Sequence, residues 1–247
     1  MDILFVDLDG TIIRSARTKR AGDIVIEYKD GAEISCISEE CAALLPKLNF
    51  IPVTSRSVEQ YKRIGFPLGS SPKYAITDNG GNLLIDGELQ PDHAEWAAEI
   101  THKCVGELSR CRELLENDPD RSFEIRMVDG LFLFTKSDCP ERTKERLGAL
   151  RDCEFYCTGE KVYVIPRRLN KGEGALRLLR RFRDKGFSGR IICAGDSEMD
   201  IPLLNIADIA LCPSDMAREI GNAMTSEREG FCEFVVKTAA EIMGISQ

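Results

Sequence analysis

Two carboxylates two residues apart, Asp7 and Asp9, stand where an apolar run stops. The run is Ile3-Leu4-Phe5-Val6, and Gly10-Thr11 follow the acids. Four apolar residues with two β-branched members read as a short strand buried on both faces. If the extended geometry persists past Val6, side chains alternate and Asp7 and Asp9 lean the same way. Gly10 can take a positive φ and turn the chain sharply there. Acids at the C-terminal end of a parallel strand lie where open α/β sheets bind ligands, although an acidic loop after a strand is also common. The pattern recurs late in the chain, where Ile191-Ile192-Cys193-Ala194 runs into Gly195-Asp196-Ser197-Glu198-Met199-Asp200. Between the two, Phe50-Ile51-Pro52-Val53 gives way to Thr54-Ser55-Arg56. A helix follows from Val58 to Ile64, so a hydroxyl and free backbone N–H groups could hold an anion, or simply cap that helix. His93 and His102 are the only histidines. Both fall in or beside a helical, solvated-looking stretch, so the chemistry has to run on carboxylates.

The elements that must position these groups alternate strand and helix. A basic stretch from Arg14 to Arg20 precedes a β-hairpin, Ile24 to Tyr28 turning at Lys29-Asp30-Gly31, which could act as a flap over the acids or be a surface excursion. Ser38 caps a helix that ends near Pro46-Lys47-Leu48. A third strand, Tyr74 to Thr77, runs into Asp78-Asn79-Gly80-Gly81. An insert then extends from about Asn82 to Pro166. It reads as a long helix over His93–Glu116, a hairpin turning at Asp129-Gly130, a helix over Glu141–Leu150, and a second hairpin turning at Thr158-Gly159. Asn170-Lys171-Gly172 opens another helix. Strands at Ile191–Ala194 and Ala207–Leu211 follow, then a short helix from Ser214 and a final helix after Phe234-Val235-Val236. The expected fold class is α/β: a Rossmann-like, mostly parallel core sheet with helices on both faces, plus an inserted α+β cap of order αββαββ. The core would comprise residues 1–81 and 167–247, and the cap 82–166.

Composition narrows the partners. The chain has 247 residues and a net charge of -8, which offers no electrostatic attraction to nucleic acid or an anionic membrane. No apolar run reaches membrane-spanning length, and Asp2 with no preceding basic region is unlike a signal peptide. A cytoplasmic protein is expected. The 10 cysteines are scattered without a paired zinc-type spacing and read as buried, reduced thiols. Monomer and dimer are both compatible with the sequence.

Taken in order, Asp7-Leu8-Asp9-Gly10-Thr11, Thr54-Ser55-Arg56, Lys171 and Gly195-Asp196…Asp200 resemble the four motifs of the haloacid dehalogenase superfamily. The insert resembles the large cap of its Cof-like sugar-phosphate phosphatase branch, and Asn79-Gly80 the Asn-Gly before that cap. The resemblance implies a phosphatase acting on a small phosphorylated metabolite, with Asp7 as nucleophile and Asp9 as acid/base. It further implies Mg²⁺ held by Asp7, Asp196 and the Asp9 carbonyl. Thr54, Ser55 and Lys171 would bind the phosphoryl group, Asp200 would support Lys171 or a metal-bound water, and Arg56 and Asn79 would contact substrate. Two departures stand out: Ser55 where the branch commonly has Gly, and Met199 where it commonly has Asn. A phosphosugar mutase and a non-catalytic sugar-phosphate binder on the same fold are the alternatives.

Within the cap, Phe123, Ile125 and Met127 alternate with Ser122, Glu124 and Arg126, as Val162 and Val164 do with Lys161 and Tyr163. The apolar set is expected on the cap helices. That would leave Arg126, Glu124, Lys161 and Tyr163 on an open face toward Asp7, with Arg126 the leading substrate contact.

Overall fold

A computed structural model describes residues 1–221 and 223–245. In chain order the elements begin with β1 (Ile3–Val6), β2 (Arg14–Ser15), the hairpin β3 (Ile24–Lys29) and β4 (Ala32–Ile37), α1 (Glu39–Leu44), β5 (Phe50–Pro52) and α2 (Val58–Lys62). Next come β6 (Tyr74–Thr77), β7 (Asn82–Ile85), β8 (Glu88–Leu89), α3 (Pro91–Lys103) and α4 (Val105–Glu116). The cap continues with β9 (Arg126–Val128), β10 (Phe132–Lys136), α5 (Pro140–Leu147), β11 (Cys153–Thr158) and β12 (Lys161–Pro166). The chain closes with α6 (Lys171–Arg183), β13 (Ile191–Ala194), α7 (Ile201–Leu204), β14 (Ile209–Pro213), β15 (Ala223–Ser226) and α8 (Phe231–Ile242).

The core sheet has the order β15-β14-β13-β1-β5, with every pairing parallel. A parallel bridge, Val53 to Ile76, attaches β6 beyond β5. β1 is central, and its alternation serves two layers: Leu4 and Val6 pack with Cys41 and Leu44 of α1 and Val235 and Ala239 of α8. Ile3 and Phe5 pack with Ala175, Leu178 and Leu179 of α6 and Leu203 and Leu204 of α7. Burial on both sides is why this strand reads as an unbroken apolar run. Its C-terminal end, and that of β13, therefore open on the same edge of the sheet.

The cap sheet is antiparallel, in the order β11-β12-β10-β9. Leu133, Val164 and Cys153 on one face pack against Leu108, Cys111 and Leu115 of α4 and Leu147 of α5. The long helix expected over His93–Glu116 is two helices. Cys104 leaves helical geometry between them (φ -103°, ψ 2°), so that Ala97 and Ile100 join a different apolar cluster from Leu108 and Cys111. A single periodicity count cannot see that change of partner. Asn82–Ile85, placed by sequence at the start of the insert, pairs antiparallel with β6.

Other expectations need correction. Phe234-Val235-Val236 lies inside α8 rather than before it, because three consecutive apolar residues on a helix can fill one wide buried stripe. β15 carries no apolar run and was not anticipated; it pairs with β14 at the sheet edge. His93 is fully buried, not solvated, and its Nε2 lies 2.9 Å from the Gly80 carbonyl. The cysteines are free thiols, and all but Cys139 and Cys157 are buried. Among the described residues no helix is long and apolar enough to cross a membrane.

Candidate active site

The end of β1 delivers Asp7 into a buried cluster. Lys171 Nζ donates to Asp7 Oδ1 at 2.6 Å and to Asp200 Oδ1 at 2.6 Å. Lys171 is itself buried at the first turn of α6, which Asn170 caps by accepting the Glu173 N–H. Asp200 Oδ2 accepts the Ser197 hydroxyl and the N–H groups of Asp196 and Ser197. Both of its oxygens are thereby engaged, and it sets the loop that carries Asp196. Gly195 permits this wrap, since a Cβ there would lie 2.3 Å from the Asp200 Cβ.

Asp7 and Asp196 face each other across Thr11. The Thr11 hydroxyl is 3.2 Å from Asp7 Oδ2 and 3.4 Å from Asp196 Oδ1, and its single proton can serve only one of them at a time. Gly10 (φ +87°) brings the two strand ends this close; a Cβ on it would sit 2.4 Å from Asp196 Oδ2. Burial raises the Asp7 carboxyl well above the usual range, even against the Lys171 charge. Burial and then the charge of Asp200 push Asp196 up to about 6. Lys171 shows the reverse balance: burial opposes its charge, but Asp200 and Asp7 raise its pKa. Carboxylate oxygens of Asp7, Asp196 and Asp200 all lie within 4.8 Å of one another. Three acids face one buried lysine and the exposed Arg228, whose Nη1 lies 3.7 Å from Asp196 Oδ2, and with only oxygen donors the set fits a hard divalent cation such as Mg²⁺. Because Asp200 is already engaged, Asp7 and Asp196 are the carboxylates with capacity for it.

Asp9 does not join this buried group. Its carboxylate faces the cleft, where Arg56 Nε and Nη2 grip its two oxygens at 2.6 and 2.7 Å. Desolvation would raise Asp9, but the Arg56 hydrogen bonds and charge outweigh it and hold the carboxyl low. Arg56, expected to contact substrate, also donates through Nη1 to Glu27 and through Nη2 to Ser35, so few of its donors remain. Thr54 is buried, and its hydroxyl accepts the Arg56 N–H at 3.2 Å. The N-cap of α2 is Ser57, in a capping box with Gln60; Ser55-Arg56 form the bend before it. Ser55 lines the cleft. Asn79, in the left-handed region at φ 54°, donates to the Leu169 carbonyl at 3.1 Å and so ties the end of β6 to the returning chain.

Above these groups lies a cleft of about 500 Å³ between core and cap, lined in part by Asp9, Arg56, Arg126, Phe134, Lys161 and Tyr163. Arg126, Phe134 and Tyr163 are register partners across β9, β10 and β12 and share the open face. Phe123 departs from its expected side. It precedes β9, its ring meets Phe134, and the Arg126 guanidinium lies over it at 4.7 Å. Ile125 does pack with the helix-side cluster, whereas Met127 is 39% exposed. Met199 packs with Tyr156, Tyr163 and Ile165 of the cap and is an apolar contact between the two layers. Thr11, Glu27, Ser35 and Arg228 (whose Nη1 donates to the Asp196 carbonyl at 3.1 Å) were not singled out from the sequence. Of these only Thr11 had a signal, its place in the acidic motif.

Solved structures give the same architecture. The sucrose-phosphatase of Synechocystis sp. PCC6803, determined with sucrose and phosphate, superposes with a TM-score of 0.65 at 15% identity, covering 98% of this chain and 97% of that one. A haloacid dehalogenase subclass IIB sugar phosphatase superposes with a TM-score of 0.61 at 15% identity over 100% of both chains. The chain therefore has the fold of these haloacid dehalogenase structures, with a large inserted cap. In sequence, Phosphoglycolate phosphatase 2 of Saccharolobus solfataricus is 25% identical over 203 residues, 78% of each chain. No family model matches the chain. Within that fold, the four motifs read from the sequence lie at three neighbouring strand ends, those of β13, β1 and β5, and at the first turn of α6.

Proposed function

We propose that the protein is a Mg²⁺-dependent phosphatase that hydrolyses a small phosphorylated metabolite, a sugar phosphate or related monoester, through an aspartyl-phosphate on Asp7. The supporting observation is the Asp7–Lys171–Asp200 chain beside the facing carboxylate of Asp196. Names of similar proteins point the same way, as phosphatases of sucrose phosphate and phosphoglycolate.

In this reading Asp7, Asp196 and the Asp9 carbonyl would hold the ion, and when bound it would supply positive charge between the nucleophile and the phosphoryl group. Asp9, which Arg56 holds ionised in the free site, first takes up a proton as the anionic substrate enters. An Asp7 oxygen then attacks phosphorus while the bond to the leaving oxygen breaks, and Asp9 passes that proton to the leaving oxygen. Lys171, the Thr54 hydroxyl and the Ser55 N–H stabilise the transferring phosphoryl oxygens. Asp9 then takes a proton from water as the water attacks phosphorus, which frees Asp7 and inorganic phosphate. Residues 1–81 and 167–247 carry this chemistry. The open face of the cap, within 82–166, meets the leaving group.

A panel of sugar, polyol and glycerate phosphates tests the reading through phosphate release. Release is expected with Mg²⁺, and its loss in excess EDTA and in Asp7→Asn. Release by Asp7→Asn at the wild-type rate, or no release from any ester, would defeat it.

A further inference from the structure

Glu27 is a strand residue of the β3–β4 hairpin, yet only 1% of its surface is exposed. A carboxylate so buried is costly unless it is paired and hydrogen-bonded. It is both: Oε2 accepts from Arg56 Nη1 at 2.7 Å and from the Ser35 hydroxyl at 2.7 Å, and Oε1 accepts from Arg63 Nε at 3.2 Å. Register shifts on either side of Glu27 turn it inward, so the adjacent Ile26 and Glu27 are both buried where strict alternation would expose one. The Ser35 hydroxyl, opposite on β4, also accepts from Arg56 Nη2 at 2.9 Å.

The hairpin has no need of a buried charge; an apolar side chain would fill the position at lower cost. What the charge accomplishes is visible one bond further on. Arg56, held on one side by Glu27 and Ser35, presents its Nε and Nη2 to both oxygens of Asp9.

We propose that Glu27 is a positioning residue, which anchors Arg56 so that Arg56 aims Asp9 at the leaving-group oxygen. The inference rests on the phosphatase reading above. Both Asp9 oxygens accept from Arg56, so before Asp9 can carry a proton to the leaving oxygen one of them has to leave Arg56 for the substrate. A guanidinium anchored from behind keeps hold of the other oxygen, so the carboxyl pivots in place. Without Glu27 the guanidinium loses its buried counter-ion and the acid loses its aim.

The test compares kcat/KM on two esters. An alkyl phosphate such as glycerol 1-phosphate must have its leaving oxygen protonated, whereas p-nitrophenyl phosphate releases a phenolate that needs no proton. This ratio reports events up to the first phosphoryl transfer and is silent on the second. Glu27→Gln should lower kcat/KM for the alkyl ester by about 10- to 100-fold, the range expected when a catalytic group is misplaced. For p-nitrophenyl phosphate the loss should be about threefold or less, since acid assistance is not used. Ser35→Ala, which keeps the ion pairs, should show the same split in smaller measure, and it carries the test if Glu27→Gln does not fold. In an Asp9→Asn background, Glu27→Gln should add no further loss on the alkyl ester. Equal losses on both esters, no loss on either, or full additivity with Asp9→Asn would overturn the proposal. If the wild type turned over glycerol 1-phosphate too slowly, the best alkyl ester of the panel takes its place; if it turned over no ester of the panel, the phosphatase reading itself would fall.

Discussion

Lys171 Nζ bridges Asp7 and Asp200, 2.6 Å from an oxygen of each, although 164 residues separate Lys171 from Asp7. The contact joins the strand that opens the chain to the helix that follows the cap. It is buried throughout, so its geometry is set by packing rather than by solvent.

Removing that cation should be felt in both stability and rate. Lys171→Met leaves Asp7 and Asp200 buried without their counter-ion, a loss that typically costs about 3–5 kcal/mol. It also removes a donor to the transferring phosphoryl group, worth on the order of 10²–10³ in kcat. Thermal unfolding and phosphate release on the purified variant check both effects. A melting temperature equal to that of the wild type would contradict the buried-bridge account.

Asp78 gives a pH dependence separate from the catalytic acids. It is buried at the end of β6, accepts from Thr77 and Asn82 through Oδ2, and leaves Oδ1 without a partner. Burial, partly offset by the Asn82 hydrogen bond and reinforced by Asp129 of the cap, pushes it up to about 7 from an ordinary 3.8. Between those values the folded chain keeps a proton that the unfolded chain has lost. Stability therefore falls as pH rises through that window. Asp78→Asn should raise the melting temperature most at about pH 8, less at about pH 5 and little at about pH 4. The same shift at each pH would mean that Asp78 does not carry this proton.

What could be read from the sequence was what local pattern encodes. β1 and β13 announced themselves as apolar runs ending in acids, and the Asp129-Gly130 turn fixed a hairpin, with both residues at positive φ in the structure. The motif residues were legible because each sits at a strand end or a helix start. Glu27 was not, since an acid in a strand ordinarily points to water, and the partners of its inward-turned carboxylate, Arg56 and Arg63, come from elsewhere in the chain. His93 was misjudged for the same reason: its burial comes from the Gly80 loop, not from its own helix. Asn79 carries a familiar motif, yet it bonds to the Leu169 carbonyl, a partner that spacing cannot reveal.

On the cap, two cations of the cleft differ in their freedom. Arg126 is ion-paired with Glu124 and lies over Phe123, whereas Lys161 has no ion-pair partner among the described residues. An unpaired cation facing the cleft can take a substrate oxygen without breaking an existing bond. Lys161→Ala should therefore lower kcat/KM for the best substrate of the panel by about 10-fold or more, the cost of losing one charged contact. Arg126→Ala should lower it less, and p-nitrophenyl phosphate should be nearly indifferent to either change. A larger loss from Arg126→Ala would reverse the assignment and return the leading role to the arginine.

The central claim, a covalent phosphoryl group on Asp7, is tested most directly by the stereochemical course at phosphorus. A substrate made chiral with oxygen isotopes is hydrolysed in isotopically distinct water, and the configuration of the released phosphate is read. Transfer to Asp7 and then to water inverts phosphorus twice, so net retention is predicted. Net inversion would mean that water attacks directly, and the assignment of Asp7 as nucleophile would be wrong.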